Sequence, residues 1–143
     1  MKERFFEMAK ECADESDFSG ASKAKIGCVA VYKGTIIAKG FNTMKTSPTQ
    51  KQYNKRRFDT DTNHYYPSFN HAETMIYKKI RYLDIDFSKV KIYLFRSLRD
   101  GSIAMSRPCQ SCFAMLRDLG VKEIYYTTPD GFAHEIIKEK ENE

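Results

Sequence analysis

Apolar positions along the chain follow first a helical period and then a strand period, and the changes of period mark its elements. Phe5, Met8, Ala9, Cys12 and Ala13 fall at helical spacing and predict an opening amphipathic helix. The polar stretch from Asp17 to Ser22, which contains Gly20, ends it. Ile26 to Tyr32 is apolar and rich in β-branched residues, Lys33-Gly34 turns the chain, and Thr35 to Lys39 returns; this predicts an antiparallel hairpin. From Phe41 to Asn70 no apolar period is sustained. Within that stretch Ser47, Pro48 and Gln50 suit an N-cap, a first-turn proline and a capping partner, so a short helix is expected up to Arg57. Ala72, Met75, Ile76 and Ile80 give one apolar face to a helix from His71 to Leu83. Val90 to Phe95 predicts a strand, followed by a turn at Arg99-Asp100-Gly101 and a loop closed by Arg107-Pro108. Cys109 to Leu119 predicts a helix stopped by Gly120, and Val121 to Thr127 a further strand. After a turn at Pro129-Asp130-Gly131, Phe132 to Lys138 is either a returning strand or a final helix, its imperfect alternation leaning to the strand. A hairpin, then helix, strand, helix, strand, adds up to an α/β sheet covered by helices, in one domain over residues 1–143.

Composition narrows this picture. Apolar residues make up 41% of the 143 residues and charged residues 30%, the profile of a globular protein that buries a real core. No apolar run approaches the ~18 residues of a membrane-spanning helix. The N-terminal residues are charged and amphipathic, with no signal-peptide stretch, so a cytoplasmic protein without a membrane partner is expected. The formal charge of +5 suits an anionic ligand such as a nucleotide or a nucleic acid without requiring one. There are four cysteines: Cys12, Cys28, Cys109 and Cys112. In a reducing compartment closely spaced cysteines are metal or redox groups rather than disulfides.

Two short motifs each open an expected helix: His71-Ala72-Glu73 and Pro108-Cys109-Gln110-Ser111-Cys112. Cys109 and Cys112 lie three residues apart, so both thiols face one side of their helix. A helix N-terminus and a bound cation both favour thiolate. With one imidazole nitrogen from His71 they supply three ligands for Zn²⁺. A structural zinc is closed by four protein ligands, whereas a catalytic zinc keeps a position for water. Cys12 and Cys28 sit within a helix and a strand, where buried thiols usually pack. Water on such a zinc ionises near neutral pH, and Glu73 is placed to carry its proton. Taken singly, a Cys-x-x-Cys is more often a redox pair or half of a structural zinc site, and a His-x-Glu means almost nothing. Their occurrence together and in order, with a proline before the first cysteine, favours a catalytic zinc.

The pair of motifs resembles the signature of the zinc-dependent cytidine deaminase superfamily. The resemblance covers most of the chain. It implies a three-layer α/β/α sandwich with a mixed sheet of about five strands. It also implies His71, Cys109 and Cys112 as zinc ligands, Glu73 as proton shuttle, and hydrolysis of cytosine to uracil and ammonia. The Ala72 backbone N–H would contact the base. Asn42 matches an asparagine that contacts sugar or pyrimidine, and it reads equally well as a turn residue after Gly40. Gly40-Phe41-Asn42, Lys45-Thr46-Ser47-Pro48 and Tyr53-Asn54-Lys55 resemble bacterial and phage deaminases of the deoxycytidylate type, which makes Lys45 and Tyr53 substrate-binding candidates. Arg107 stands where many nucleotide and nucleic-acid deaminases have serine or threonine. A terminal strand antiparallel to its neighbour would resemble the free-nucleoside branch, and a terminal helix the nucleotide and nucleic-acid branch. A homo-oligomer is implied by the same resemblance.

The segment from Phe41 to Asn70 should line the pocket. Lys45, Lys51, Lys55, Arg56 and Arg57 interleave there with Tyr53, Phe58, Tyr65, Tyr66 and Phe69, ingredients that hold a phosphate and stack a base. They equally fit the solvent face of a short helix with rings packed beneath. His64 could reach a phosphate or simply be exposed, and His134 carries no specific signal. The expected substrate is a free cytosine nucleotide or nucleoside, dCMP first. The alternatives are cytosine or adenine in single-stranded nucleic acid, and a non-catalytic zinc-stabilised binding module.

Overall fold

The structure is a computed structural model and describes residues 3–17, 24–43 and 71–138. The helix expected from Ser47 to Arg57 lies outside the described residues. The elements in chain order are α1 (Glu3–Asp14), β1 (Lys25–Tyr32), β2 (Thr35–Phe41), α2 (Ala72–Ile80), a 3₁₀ turn (Phe87–Lys89), β3 (Val90–Ser97), β4 (Ile103–Ala104), α3 (Gln110–Leu119), β5 (Glu123–Thr128) and β6 (Gly131–Ile136). The strands form one mixed sheet of order β2-β1-β3-β5-β6, and β4 pairs only with the end of β3. β3 and β5 are parallel, joined by a crossover through α3, and every other pairing is antiparallel.

Alternation along β1 assigns the two faces of the sheet. Cys28 and Ala30 pack with Ala72, Ile76 and Ile80 of α2 and Leu116 of α3. Val29 and Val31 point the other way and pack with Phe5, Phe6 and Cys12 of α1. The helices therefore cover both faces, giving the three layers that the resemblance implied. Tyr125 and Tyr126 divide between the two clusters in the same way. On the α1 face Tyr93 stacks on Tyr125, ring centroids 4.4 Å apart, and Tyr125 stacks on His134, also at 4.4 Å. The ring of His134 thus belongs to the sheet surface, with its Nε2 3.2 Å from Glu123.

Local chemistry accounts for the boundaries. Lys33 and Gly34 both adopt positive φ, 51° and 81°, as a tight hairpin turn between right-twisted strands requires. Gly120, at φ 108°, ends α3, and the amide of Val121 donates back to the Leu116 carbonyl at 3.1 Å. This C-terminal cap uses up the residues before Glu123, so β5 begins later than the apolar pattern suggested. α2 stops at Ile80, three residues short of Leu83, in a turn closed by the Leu83 amide on the Ile80 carbonyl. β2 and β3 run past Lys39 and Phe95 to Phe41 and Ser97, because neighbouring strands continue to pair with them. β4 is two residues long and so leaves no periodic signal. The terminal segment is a strand, antiparallel to β5 from Glu123↔Ile136 to Thr128↔Gly131.

Two glycines set how closely the helices approach the sheet. A Cβ on Gly27 would overlap the Ala9 carbonyl and the Ala13 amide of α1. On the other face, a Cβ on Gly40 would lie 2.8 Å from the Ala72 carbonyl oxygen and 3.1 Å from the Met75 Cβ. Gly40 thus lets the first turn of α2 rest directly on β2. Gly40→Ala is expected to cost about 1–3 kcal/mol in urea unfolding, the usual range for overpacking, and Gly27→Ala more than that. Wild-type stability in either variant would contradict these approaches.

Candidate metal centre

The chemistry-bearing residues meet where two helices begin. His71 is the N-cap of α2 and Cys109 the N-cap of α3; both have extended backbones and neither side chain caps its own helix. Their side chains instead converge on each other. The sheet brings the helix starts together: Gly40 abuts Ala72, and Ser106, just before the α3 loop, bonds to Thr127 at the end of β5. Among the described residues, His71, Cys109 and Cys112 form the one cluster able to hold a metal, their donor atoms all within 4.8 Å of one another. His71 Nδ1 lies 3.3 Å from Cys112 Sγ and 3.9 Å from Cys109 Sγ. A tetrahedral zinc, with bonds of about 2.3 Å to sulfur and about 2.0 Å to nitrogen, needs S···N separations of roughly 3.5 Å. The two observed separations bracket that value, so the imidazole and both thiols fit the ion.

The two thiols are electrostatically unequal. Cys109 is held down to about 2 by the hydrogen bond it receives from Cys112, with further help from His71 and the Ser111 hydroxyl against the cost of burial. The Ser111 Oγ lies 3.0 Å from Cys109 Sγ. Cys112 is pushed well above the usual thiol range, because it gives that hydrogen bond to Cys109 and because it is buried. The two sulfurs thus favour opposite protonation states, and a dication held by both would favour thiolate at each. Glu73, in the first turn of α2, is only 5% exposed. Burial pushes its carboxyl up, with the His71 ring opposing. A carboxyl that is buried, raised and beside the donor set is the environment of a proton carrier.

Residues 1–128 match the family described as the cytidine and deoxycytidylate deaminase zinc-binding region. The chain belongs to this family. Solved structures of similar fold include a cytidine deaminase from Burkholderia pseudomallei, with TM-score 0.66 and 15% identity over 96% of this chain and 93% of that one. A dCMP deaminase from the cyanophage S-TIM5 gives TM-score 0.56 and 21% identity over 90% and 86%. A cytidine deaminase from Mycobacterium leprae gives TM-score 0.54 and 15% identity over 92% and 91%. No curated protein matches the chain by sequence. The chain is accordingly a zinc-type hydrolytic deaminase of cytosine nucleotides or nucleosides. Among the described residues no helix is long and apolar enough to cross a membrane.

This deaminase holds its cysteine loop with polar groups that no motif announced. β3 and β5 pair only as far as Tyr93↔Tyr125 and then splay. Ser106 fills the gap: its hydroxyl accepts from the Thr127 amide at 2.7 Å and donates to the Leu94 carbonyl at 3.2 Å. The Thr127 hydroxyl donates to the Ala104 carbonyl at 2.7 Å and accepts from the Arg96 amide at 3.1 Å. Arg107 forms a two-pronged pair with Glu135 of β6, at 2.8 and 2.9 Å, and lies 4.4 Å from the centre of the Phe113 ring. The residue that departs from the serine or threonine of many relatives thus ties the loop to the edge strand.

Of the other candidates, Ala72 is fully buried at the helix start. Asn42 is buried too, and its carboxamide oxygen accepts from Ser16 Oγ at 2.7 Å and from the Ile26 amide at 3.0 Å. Its Nδ2 donates to the Ala24 carbonyl at 3.1 Å. Asn42 therefore ties β1 to β2, with one N–H beyond that bond. Lys45, Tyr53, His64 and the basic, aromatic stretch around them lie outside the described residues. Zinc binding by the metal-free deaminase is expected to release at least one proton near neutral pH, read by calorimetry in buffers of different ionisation enthalpy. Cys109→Ala is expected to abolish stoichiometric zinc by metal analysis; a full complement of zinc in that variant would overturn the ligand set.

Proposed function

We propose that the chain deaminates the cytosine base of a free nucleotide, with dCMP as its substrate, through His71, Cys109 and Cys112 as zinc ligands and Glu73 as proton carrier. The observation that carries this reading is the buried Glu73 carboxyl beside a three-ligand donor set. A structural zinc would need a fourth protein ligand and no carboxyl. For the same reason a zinc-stabilised binding module without catalysis is disfavoured.

When bound, zinc supplies a position where water is polarised and becomes nucleophilic at neutral pH. Glu73 then accepts the proton of the water that adds to C4 of cytosine and returns it to N3. It next carries the second proton to the 4-amino group, the C4–N bond breaks, and ammonia leaves with uracil remaining. The raised affinity of Glu73 for protons suits both halves of that shuttle. The Ala72 N–H, at the start of α2, is aimed with the helix dipole and suits a base oxygen. Asn42, with one N–H beyond its structural bonds, and Lys45 and Tyr53 are the proposed contacts to the rest of the substrate.

The choice of a nucleotide rests on the cations interleaved with aromatic rings before His71. The cyanophage dCMP deaminase has been solved with dCMP and dUMP. The antiparallel β6 favours a second reading, a free nucleoside such as cytidine. A single-stranded nucleic-acid substrate would instead show steep salt dependence of oligonucleotide binding. Ammonia release from dCMP, deoxycytidine and cytidine by the zinc-loaded protein decides among them. Glu73→Gln is expected to keep zinc and fold while turnover falls about 10²–10⁴-fold. Normal turnover in that variant would sink the mechanism.

A further inference from the structure

We infer that Arg96, on the sheet row beyond the start of the helix that carries His71 and Glu73, anchors the substrate's phosphate. This rests on the proposal of a nucleotide substrate and names the side chain that selects it.

Placement is the first observation. On β3, Ile92 and Leu94 point into the core shared with α2 and α3. Arg96 is the next residue in that alternation, still inside the strand, paired with Ile26 on one side and Ala104 on the other. Ile26 packs against the same core, so the row containing Arg96 faces the layer of α2 and α3. The preceding row across the sheet is Leu94, Cys28 and Gly40, and Gly40 lies under the first turn of α2. Arg96 therefore stands one row beyond the start of the helix that carries His71 and Glu73. Since the reacting amino group must sit at the metal beside Glu73, Arg96 meets the far end of the substrate.

Incomplete satisfaction is the second observation. One guanidinium nitrogen donates to the Met105 carbonyl at 3.3 Å. The Nε is buried and has no hydrogen-bond partner among the described residues. Among those residues no carboxylate lies within ion-pair distance of Arg96. Arg107, on the same connection, shows the alternative: Glu135 takes two of its nitrogens. A buried donor without an acceptor is costly. Its planar fork matches two oxygens of a phosphate, which would satisfy Nε and a terminal nitrogen together.

The test is calorimetric binding of dUMP and deoxyuridine to the zinc-loaded wild type, Arg96→Gln and Arg96→Lys. The wild type should prefer dUMP. Arg96→Gln should weaken dUMP at least tenfold and leave deoxyuridine within twofold, and Arg96→Lys should recover part of the loss. Inorganic phosphate should compete with dUMP on the wild type but not with deoxyuridine, a readout that needs no variant to fold. Equal losses for both ligands, an unchanged dUMP affinity in Arg96→Gln, or no preference for dUMP in the wild type would each overturn the assignment. Ammonia release from dCMP, measured on the same samples, separates the two readings. Phosphate-dependent binding without ammonia would reject the reaction and keep the anchor. Ammonia without phosphate preference would reject the anchor and keep the reaction.

Discussion

Everything in this molecule depends on bringing two helix starts, far apart in sequence, within reach of a single ion. His71 opens α2 and Cys109 opens α3, and their donor atoms meet with Cys112 inside 4.8 Å. Helix N-termini are the one part of a helix where backbone N–H groups lack partners and favour nearby anions. Two of them aimed at one point favour a thiolate at Cys109, while burial keeps the Glu73 carboxyl raised. The core supplies the convergence. Gly40 lets α2 settle on β2, and the Ser106–Thr127 hydrogen bonds fix the chain just before α3 where β3 and β5 splay apart. Neither device touches the ion, yet both set the distance between its ligands.

The electrostatics follow from that geometry. Of these adjacent thiols, half-buried Cys109 is held low by the hydrogen bond from Cys112, and buried Cys112 is held high. A zinc ion held by His71, Cys109 and Cys112 would favour both sulfurs as thiolates, with the Glu73 carboxyl beside them. The Arg107–Glu135 pair is exposed enough that its worth lies in orientation more than in stability, below about 1 kcal/mol. It fixes the loop before Pro108 against β6, so the edge strand contributes to the site without reaching it.

Much of this was legible in the sequence. The cluster of His71, Cys109 and Cys112 is foreshadowed by two rare spacings that occur in order, each at a helix start. The hairpin was found because Lys33-Gly34 interrupts two apolar runs. The apolar face of α2 is legible in Ala72, Ile76 and Ile80. What could not be read came from contacts between distant segments. Ser106 and Thr127 look like ordinary loop and strand residues until the sheet splays around them. β4 is too short to carry a period. The terminal segment, open between strand and helix, becomes a strand because β5 offers an unpaired edge. Arg96 escaped for a simpler reason: the apolar run ends at Phe95, and only the pairing with Ile26 and Ala104 shows that the strand and its alternation continue.

The central claim is an open zinc centre of two sulfurs and one imidazole. X-ray absorption at the zinc edge of the native protein tests it most directly. The account predicts two sulfur scatterers at about 2.3 Å and two nitrogen or oxygen scatterers at about 2.0 Å, one of them water. A shell with a third or fourth sulfur would close the site with Cys12 or Cys28 and make it structural. A shell without sulfur would remove the Cys109–Cys112 pair from the metal altogether.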